Sequence, residues 1–335
     1  MRRILAATVA VVAMVPMLAA CGSSNDKPFI TVYNAQHKEL LDEMVPGFTK
    51  ETGIDVKLRN GDDFELANQL VQEGSASPAD VFLTENSPAM SLVDRKGLFA
   101  SVDKSTLAQV PAQYSPSTGN WAGFAARSTV LAYNTAAVKD AELPASILDL
   151  ANPEWKGKVA FSPTGADFQA IVSAVLETSG EAATKTWLAG LKTNGTVYDG
   201  NSTVMKAVNS GEVEVGVIYH YYWYGDQAES GANSDNIKIH FFGNKDPGAF
   251  VSVSGAGALK SSDKLSDAQK FLKYLNGTTG QQALADGKAF EYPINPAVAV
   301  KSPVKPFGEL DPPIIDVANL NGPKVISMMQ EAGFL

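Results

Sequence analysis

The sequence predicts an α/β protein of two lobes, each built on a mostly parallel sheet. Short apolar runs of strand length alternate with stretches of helical periodicity, and this grammar runs through the first half of the chain and again through the second. Two further extended runs, at residues 128–133 and 250–253, are placed to cross between the halves. A pair of crossing segments suits hinge closure around a ligand.

Taken in order, Phe29-Ile30-Thr31-Val32-Tyr33 reads as a buried strand. Residues 36–52 read as a helix with Leu40, Leu41, Met44, Val45 and Phe48 on one face, which Pro46 should kink or divide. Residues 54–58 form the next strand, and residues 64–73 a helix stopped by Gly74. Residues 80–84 form a third strand. In the second half, 158–161 and 215–219 read as strands, and 167–176, 184–191, 202–209 and 222–229 as helices.

The first twenty residues describe a secretory signal. Arg2 and Arg3 are followed by an apolar run from Ile4 to Met17 and then by Leu18-Ala19-Ala20-Cys21. The run is shorter than the roughly 20 residues that a membrane-spanning helix needs. Leu-Ala-Ala-Cys resembles a bacterial lipobox, which makes Cys21 the lipidated first residue of the mature chain and residues 21–28 a linker. Cys21 is the only cysteine, so no disulfide and no thiolate zinc or iron–sulfur site is available. Removing residues 1–20 from the 335 leaves 315, enough for two lobes with separate cores. The signal takes two cations with it, so the net charge moves from -9 to -11. Such an acidic protein has no electrostatic footprint for nucleic acid.

In open α/β sheets ligands bind beyond the carboxyl ends of the strands. The residues in those positions are Asn34-Ala35-Gln36-His37, then Glu85-Asn86, then Ser162-Pro163-Thr164-Gly165-Ala166, and finally His220-Tyr221-Tyr222-Trp223-Tyr224. The first two sets belong to one lobe and the last two to the other, so all of them face one cleft. A His, a Glu and two adjacent tyrosines suggest a cation, because carboxylate and phenolate are hard anionic donors and imidazole suits iron. A phenol loses its proton near pH 10, so only a highly charged ion ionises it at neutral pH. Zinc favours Cys, His and carboxylate, and calcium favours carboxylates and carbonyls.

Several segments together resemble the bacterial ferric-ion-binding proteins, or bacterial transferrins, the solute-binding components of iron(III) ABC transporters. They are Tyr33-Asn34-Ala35-Gln36-His37-Lys38-Glu39, Ala79-Asp80-Val81-Phe82-Leu83-Thr84-Glu85, Trp155-Lys156-Gly157-Lys158, Tyr221-Tyr222-Trp223-Tyr224, Asp246-Pro247-Gly248-Ala249 and Glu291-Tyr292-Pro293. The similarity runs in order from about residue 29 to the C-terminus. It implies a two-lobed periplasmic-binding-protein fold of type II-like topology, with two mixed sheets flanked by helices and joined by two hinge strands. One lobe would hold residues 29–127 and 253–303, the other 128–252 and 304–335.

The resemblance also implies His37, Glu85, Tyr221 and Tyr222 as ligands of Fe(III), with water and a small synergistic anion, phosphate or carbonate, completing an octahedron. It places the anion at Thr164-Gly165-Ala166 and Asn201, both at helix starts, with Arg127 available to offset excess negative charge. Where some relatives carry two asparagines before the tyrosine pair, this chain has Tyr219 and His220, which leaves the anion's identity open. Asn86, Tyr219 and His220 are expected just behind the ligands. The implied partner is an ABC permease. The protein is expected to be a lipid-anchored extracytoplasmic monomer, with no membrane contact other than the lipid.

The competing reading is a binding protein for thiamine, a polyamine or an organic anion on the same architecture. Catalysis has little support, since the chain lacks a Gly-x-Ser-x-Gly elbow, a phosphate-cradling P-loop and a His-Glu-x-x-His segment. The lipobox reading has a direct test. Cys21→Ser should leave the chain without a lipid and release it from membranes. A variant that still partitions fully into detergent would overturn the assignment.

Overall fold

The computed structural model describes residues 27–301 and 303–335. The signal segment, Cys21 and the linker up to residue 26 lie outside the described residues. The first half runs β1 (Phe29–Asn34), α1 (Lys38–Thr52), β2 (Asp55–Asn60), α2 (Asp63–Glu73), β3 (Val81–Leu83), α3 (Ser87–Arg95), α4 (Lys104–Leu107) and β4 (Ala122–Asn134). The second adds β5 (Val159–Phe161), α5 (Ala166–Asn194), β6 (Gly195–Val197), α6 (Asn201–Ser210), β7 (Val215–Tyr219), α7 (His220–Glu229) and β8 (Ile237–His240). The chain then returns through β9 (Val251–Ala258), α8 (Leu265–Asn276), α9 (Thr278–Asp286) and β10 (Tyr292–Pro293), and ends in α10 (Gly322–Glu331).

The strands form one mixed path in the order β2-β1-β3-β9-β4-β7-β5-β6, with β10 and β8 also pairing to β4. Pairing is parallel at β1 with β2 and β3, and at β5 with β6 and β7. It is antiparallel at β3 with β9 and along β4. Strand β4 is the spine. It pairs with β9 over Ala122–Ser128 and with β7 over Thr129–Tyr133, and all 13 of its residues are buried. The anticipated crossing at 128–133 is therefore the far half of a longer strand. The second crossing is abrupt. The turn at Pro247–Ala249 packs on the second half, where Asp246 accepts the Ile147 amide at 3.1 Å, and from Val251 the chain runs as β9 in the first half.

Two helices differ from expectation for physical reasons. Pro46 does not divide α1, which stays continuous because Leu40, Leu41, Met44 and Phe48 remain buried along it. Tyr274 covers the helix there, its hydroxyl donating to the Met44 carbonyl at 2.9 Å, and Gly47 leaves it room. The helices expected at 167–176 and 184–191 are continuous in α5 apart from Gly180, whose φ of 81° marks a sharp break. On either side, Phe168, Ile171, Val172 and Val175, and Trp187, Leu188 and Leu191, are buried in the same core. A separate core under α1 and α8 holds Phe48 and Phe271 in edge contact at 4.9 Å. Among the described residues no helix is long and apolar enough to cross a membrane.

Gly123 on β4 marks the tightest approach in the spine. The register shifts between Gly123 and Ala125, and a Cβ at Gly123 would stand 2.2 Å from the Tyr114 carbonyl and 2.4 Å from Val253. Gly123→Ala should lower stability by about 1–3 kcal/mol, the usual cost of overpacking a core. Urea unfolding measures this, and an unchanged midpoint would show that β4 shifts freely.

Candidate metal centre

The parallel pairs β1/β3 and β5/β7, one in each half, deliver polar residues to one cleft. His37 ends the β1 loop and stands at the start of α1, its backbone amide donating to the Gln36 side chain at 2.6 Å. Glu85 follows β3. Its amide and that of Asn86 donate to the two Asp63 carboxylate oxygens at 2.8 and 2.9 Å. Tyr221 and Tyr222 lie in the first turn of α7, directly after β7.

These four side chains meet. The Tyr221 hydroxyl donates to Glu85 Oε1 at 3.0 Å and lies 3.2 Å from His37 Nε2, while His37 Nε2 lies 3.3 Å from Glu85 Oε1. The rings of Tyr221 and Tyr222 stack at 4.3 Å. The Tyr222 hydroxyl faces Asp167 Oδ2 at 3.4 Å. Tyr222 lines both an open cleft of ≈ 540 Å³, shared with Glu85, Thr164 and Asn201, and one of ≈ 610 Å³ on the side of His37.

The electrostatics explain what this group can do. Burial, followed by the charges of Asp167 and Glu85, raises the pKa of both phenols well above its usual value. Both therefore stay protonated until a strong cation displaces the protons. Burial opposes charge on His37, but the bond and charge of Glu85 outweigh it and raise the imidazole to about 9. Burial would raise Glu85, yet His37 and Arg127 hold it down at about 2. Among the described residues, no three His, Cys, Asp or Glu side chains are grouped as a metal site requires, so a metal here depends on the phenols.

The remaining anticipated residues divide. Thr164 is exposed, Gly165 caps α5 and Ala166 opens it, all three on the cleft wall. Asn201 opens α6, and its amide donates to Asp167 Oδ2 at 2.6 Å. Arg127 differs from expectation in where it points. Its guanidinium is fully buried and donates to the Glu85 carbonyl, to Ser254 at 2.8 Å and to Glu291 at 2.6 Å, so it faces these groups and not the open cleft.

Asn86 joins elements from both halves, donating to Asp167 Oδ1 at 3.1 Å and accepting from Ser252 at 2.7 Å. Tyr219 is buried behind it, with its hydroxyl 3.4 Å from Asn86 Oδ1. His220 turns away from the cluster. Its Nδ1 accepts the Ser128 amide at 3.2 Å, and its ring stacks on Tyr292 at 4.4 Å. Burial lowers its pKa to about 3, so it packs as a neutral ring against the strand crossing.

Comparisons with known proteins agree with this geometry. A family model described as bacterial extracellular solute-binding protein matches residues 76–307. A Fe(3+)-binding periplasmic protein of Serratia marcescens is 60% identical over 306 residues, covering 91% of this chain and 90% of that one. The chain belongs to the bacterial solute-binding proteins, in their ferric-iron-binding branch. The major ferric iron-binding protein of Neisseria meningitidis is 36% identical over 307 residues, 91% of this chain and 92% of its own. The iron-bound structure of HitA from Pseudomonas aeruginosa matches with a TM-score of 0.85 at 40% identity, covering 91% of this chain and 99% of that one.

Sequence reasoning missed four residues at this ferric-binding-type cleft. Asp63 and Asp167 stand in the first turns of α2 and α5, where acidic residues ordinarily complement the helix dipole. Gln36 bridges the His37 amide to Ser254 and Glu291. Glu291 follows Phe290, a non-glycine residue at φ 56°, which turns the carboxylate inward to Arg127. Glu291-Tyr292-Pro293 lay within a recognised motif, but nothing local signalled an ion pair 164 residues away.

The raised pKa of His37 fixes a sign. Its pairing with Glu85 stabilises the iron-free protein in full below the ordinary value of 6.5 and is lost as pH rises through about 9. The lowered pKa of Glu85 loses its own contribution only as pH falls through about 2. Imidazole NMR of the iron-free protein should show His37 still protonated at pH 8. In Glu85→Gln it should titrate at lower pH, because the bond and charge that outweigh burial are gone. An imidazole that titrates at 6.5 in the unaltered protein would overturn the pairing.

Proposed function

We propose that the protein is the ferric-iron carrier of an ABC-type uptake system, held outside the cell membrane by a lipid on Cys21 and handing Fe(III) to a membrane permease. It acts as a monomer, and it is a binding protein and not an enzyme. The observation that carries the reading is the meeting of His37 and Glu85, from the β1 and β3 loops, with Tyr221 from α7 within hydrogen-bond distance, the adjacent Tyr222 stacked on Tyr221. The relatives named for ferric iron support it.

In this reading the ion replaces protons. His37 supplies a neutral nitrogen, Glu85 a carboxylate, and the tyrosines two phenolates. The three anionic oxygens balance the three charges of the ion. Phenols raised by burial release their protons only to a cation of high charge, which favours Fe(III) over zinc or calcium. Binding therefore releases protons, and acid reverses it. Two positions of an octahedron remain, where the family resemblance expects water and an anion such as phosphate or carbonate. Capture of one ion by residues from both sides of the cleft would hold the lobes closed.

Iron-loaded protein should carry a visible phenolate-to-iron charge-transfer band. Tyr221→Phe and Tyr222→Phe each remove one oxygen and keep the ring. Each should weaken iron binding by two orders of magnitude or more and shift or abolish the band. Tyr224→Phe is the control, since that hydroxyl only accepts the Lys305 amide at 3.2 Å. A colourless protein that takes up no ferric iron would sink the reading. A band lost in Tyr224→Phe alone would overturn the ligand pair.

A further inference from the structure

The C-terminal segment also touches both halves, away from the crossings of β4 and β9. Helix α10 and its flanks lie along α5 of the second half. Asn319 donates to Glu177 at 3.2 Å, Lys324 pairs with Glu181 at 3.0 Å, and Glu331 pairs with Lys185 at 3.1 Å. The Gly333 carbonyl accepts from Lys192 at 2.6 Å, and Phe334 meets Phe161 edge-on at 5.3 Å. These contacts run the whole length of the helix. The polar contacts to the first half sit at one end only. The Ser91 hydroxyl of α3 donates to the Val317 carbonyl at 2.8 Å, Arg95 donates to the Leu320 carbonyl at 3.3 Å, and Asp316 accepts the Ser117 amide at 3.2 Å.

Two features leave that end free to yield. A cavity of ≈ 40 Å³ separates residues of the 312–317 stretch from Tyr114, Phe250 and Val251, and Ile314 in this stretch is 83% exposed. Gly322, the first residue of α10, turns bare backbone to the Phe64 ring of α2, where a Cβ would stand 2.4 Å from the ring. A glycine at that contact lets one element slide over the other, as packed helices do in shear motions.

We infer that α10 and its lead are a brace on the cleft: they ride with the second half, and the bonds from Ser91 and Arg95 exist only while the cleft is closed. The inference rests on the iron-carrier reading and adds a hold on closure that lies outside the metal centre. His37 and Glu85 meet Tyr221 across the cleft in this structure, so the bonds to α3 accompany the closed arrangement. When the halves rotate apart about β4 and β9, α10 cannot keep both sets of partners. The set along α5 is longer and includes an aromatic contact, so the bonds at the α3 end break. A buried hydrogen bond made in one state alone shifts the equilibrium toward that state. Release of the ion therefore requires these bonds to open as well as the metal bonds.

The test adds excess chelator to the iron-loaded mature protein and follows release by loss of the visible band. Ser91→Ala removes one buried bond and should speed release by about 3–10-fold. The band of the loaded protein should stay where it is, because no ligand is touched. Gly322→Ala presses a methyl on Phe64 while the cleft is closed, and it should also speed release. Lys185→Gln cuts a contact between α10 and α5 that persists in both states, and it should leave the rate unchanged. Hydrogen exchange read by mass spectrometry gives a second measure. Residues 316–321 should exchange faster in iron-free than in iron-loaded protein, and residues 324–331 equally in both.

Unchanged release from Ser91→Ala would overturn the inference, as would an equal acceleration by Lys185→Gln. Thermal melting shows whether each variant folds. If Ser91→Ala does not, Gly322→Ala and hydrogen exchange of the unaltered protein decide. All of these outcomes leave the iron-carrier reading standing. Protein that never develops the band would instead overturn that reading.

Discussion

Arg127 sits on β4, the strand that pairs in both halves of the molecule, and its guanidinium is wholly enclosed. An enclosed cation survives only with partners, and it has Glu291 at 2.6 Å, Ser254 and the carbonyl of Glu85. Burial opposes its charge, but Glu291 and then Glu85 outweigh that and push its pKa up, so it remains a cation throughout. Removing one member of such a pair leaves an uncompensated buried charge, at a typical cost of about 3–5 kcal/mol. The pair therefore fixes where β9, β10 and the Glu85 loop stand against the spine. Through Gln36 it also reaches the backbone of His37. Two candidate ligands on separate loops are thus aligned by one buried contact.

From that alignment the electrostatic character of the cleft follows. Asp167 is a buried carboxylate and Glu85 a partly buried one, both close to two phenols, and the Arg127 charge is largely taken up by Glu291. The cleft is short of positive charge unless protons or a cation supply it. His37 takes a proton from solvent for that reason, although burial alone would drive its pKa down. A trivalent ion answers the same deficit with one particle, displacing protons from several groups together. Specificity for a highly charged ion is then a property of the field in the cleft as much as of donor geometry.

His220 ties the strand crossing to the cleft. Its neighbour in sequence, Tyr221, faces His37 and Glu85, while His220 packs against Tyr292 and accepts the Ser128 amide where β4 changes partners. The first turn of α7 therefore points one ring at the candidate site and the next at the strand crossing. A shift of that helix would be felt at both places, which is how small rearrangements at a ligand become movements of packed elements.

The sequence determined the alternation of strands and helices, because apolar periodicity and turn residues are local properties. It also determined the polar groups at the strand ends, because the parallel strands within each half send their carboxyl ends to one side. His37, Glu85, Tyr221 and Tyr222 were legible for that reason, and so was the broken pair of helices within α5, which Gly180 separates. Pro46 was expected to kink or divide α1; it does not divide it, because four buried side chains hold the helix whole. What only the tertiary structure decided was the partner of each charge. Asp63 and Asp167 look in sequence like ordinary first-turn acids, and become a clamp on the Glu85 backbone and a carboxylate at the candidate site only when distant loops close on them. Arg127 was legible as a cation near the cleft, but its direction was set by Glu291, 164 residues away. Side-chain pairing in a buried network depends on which groups share a low-dielectric space, and no local pattern in a chain encodes that.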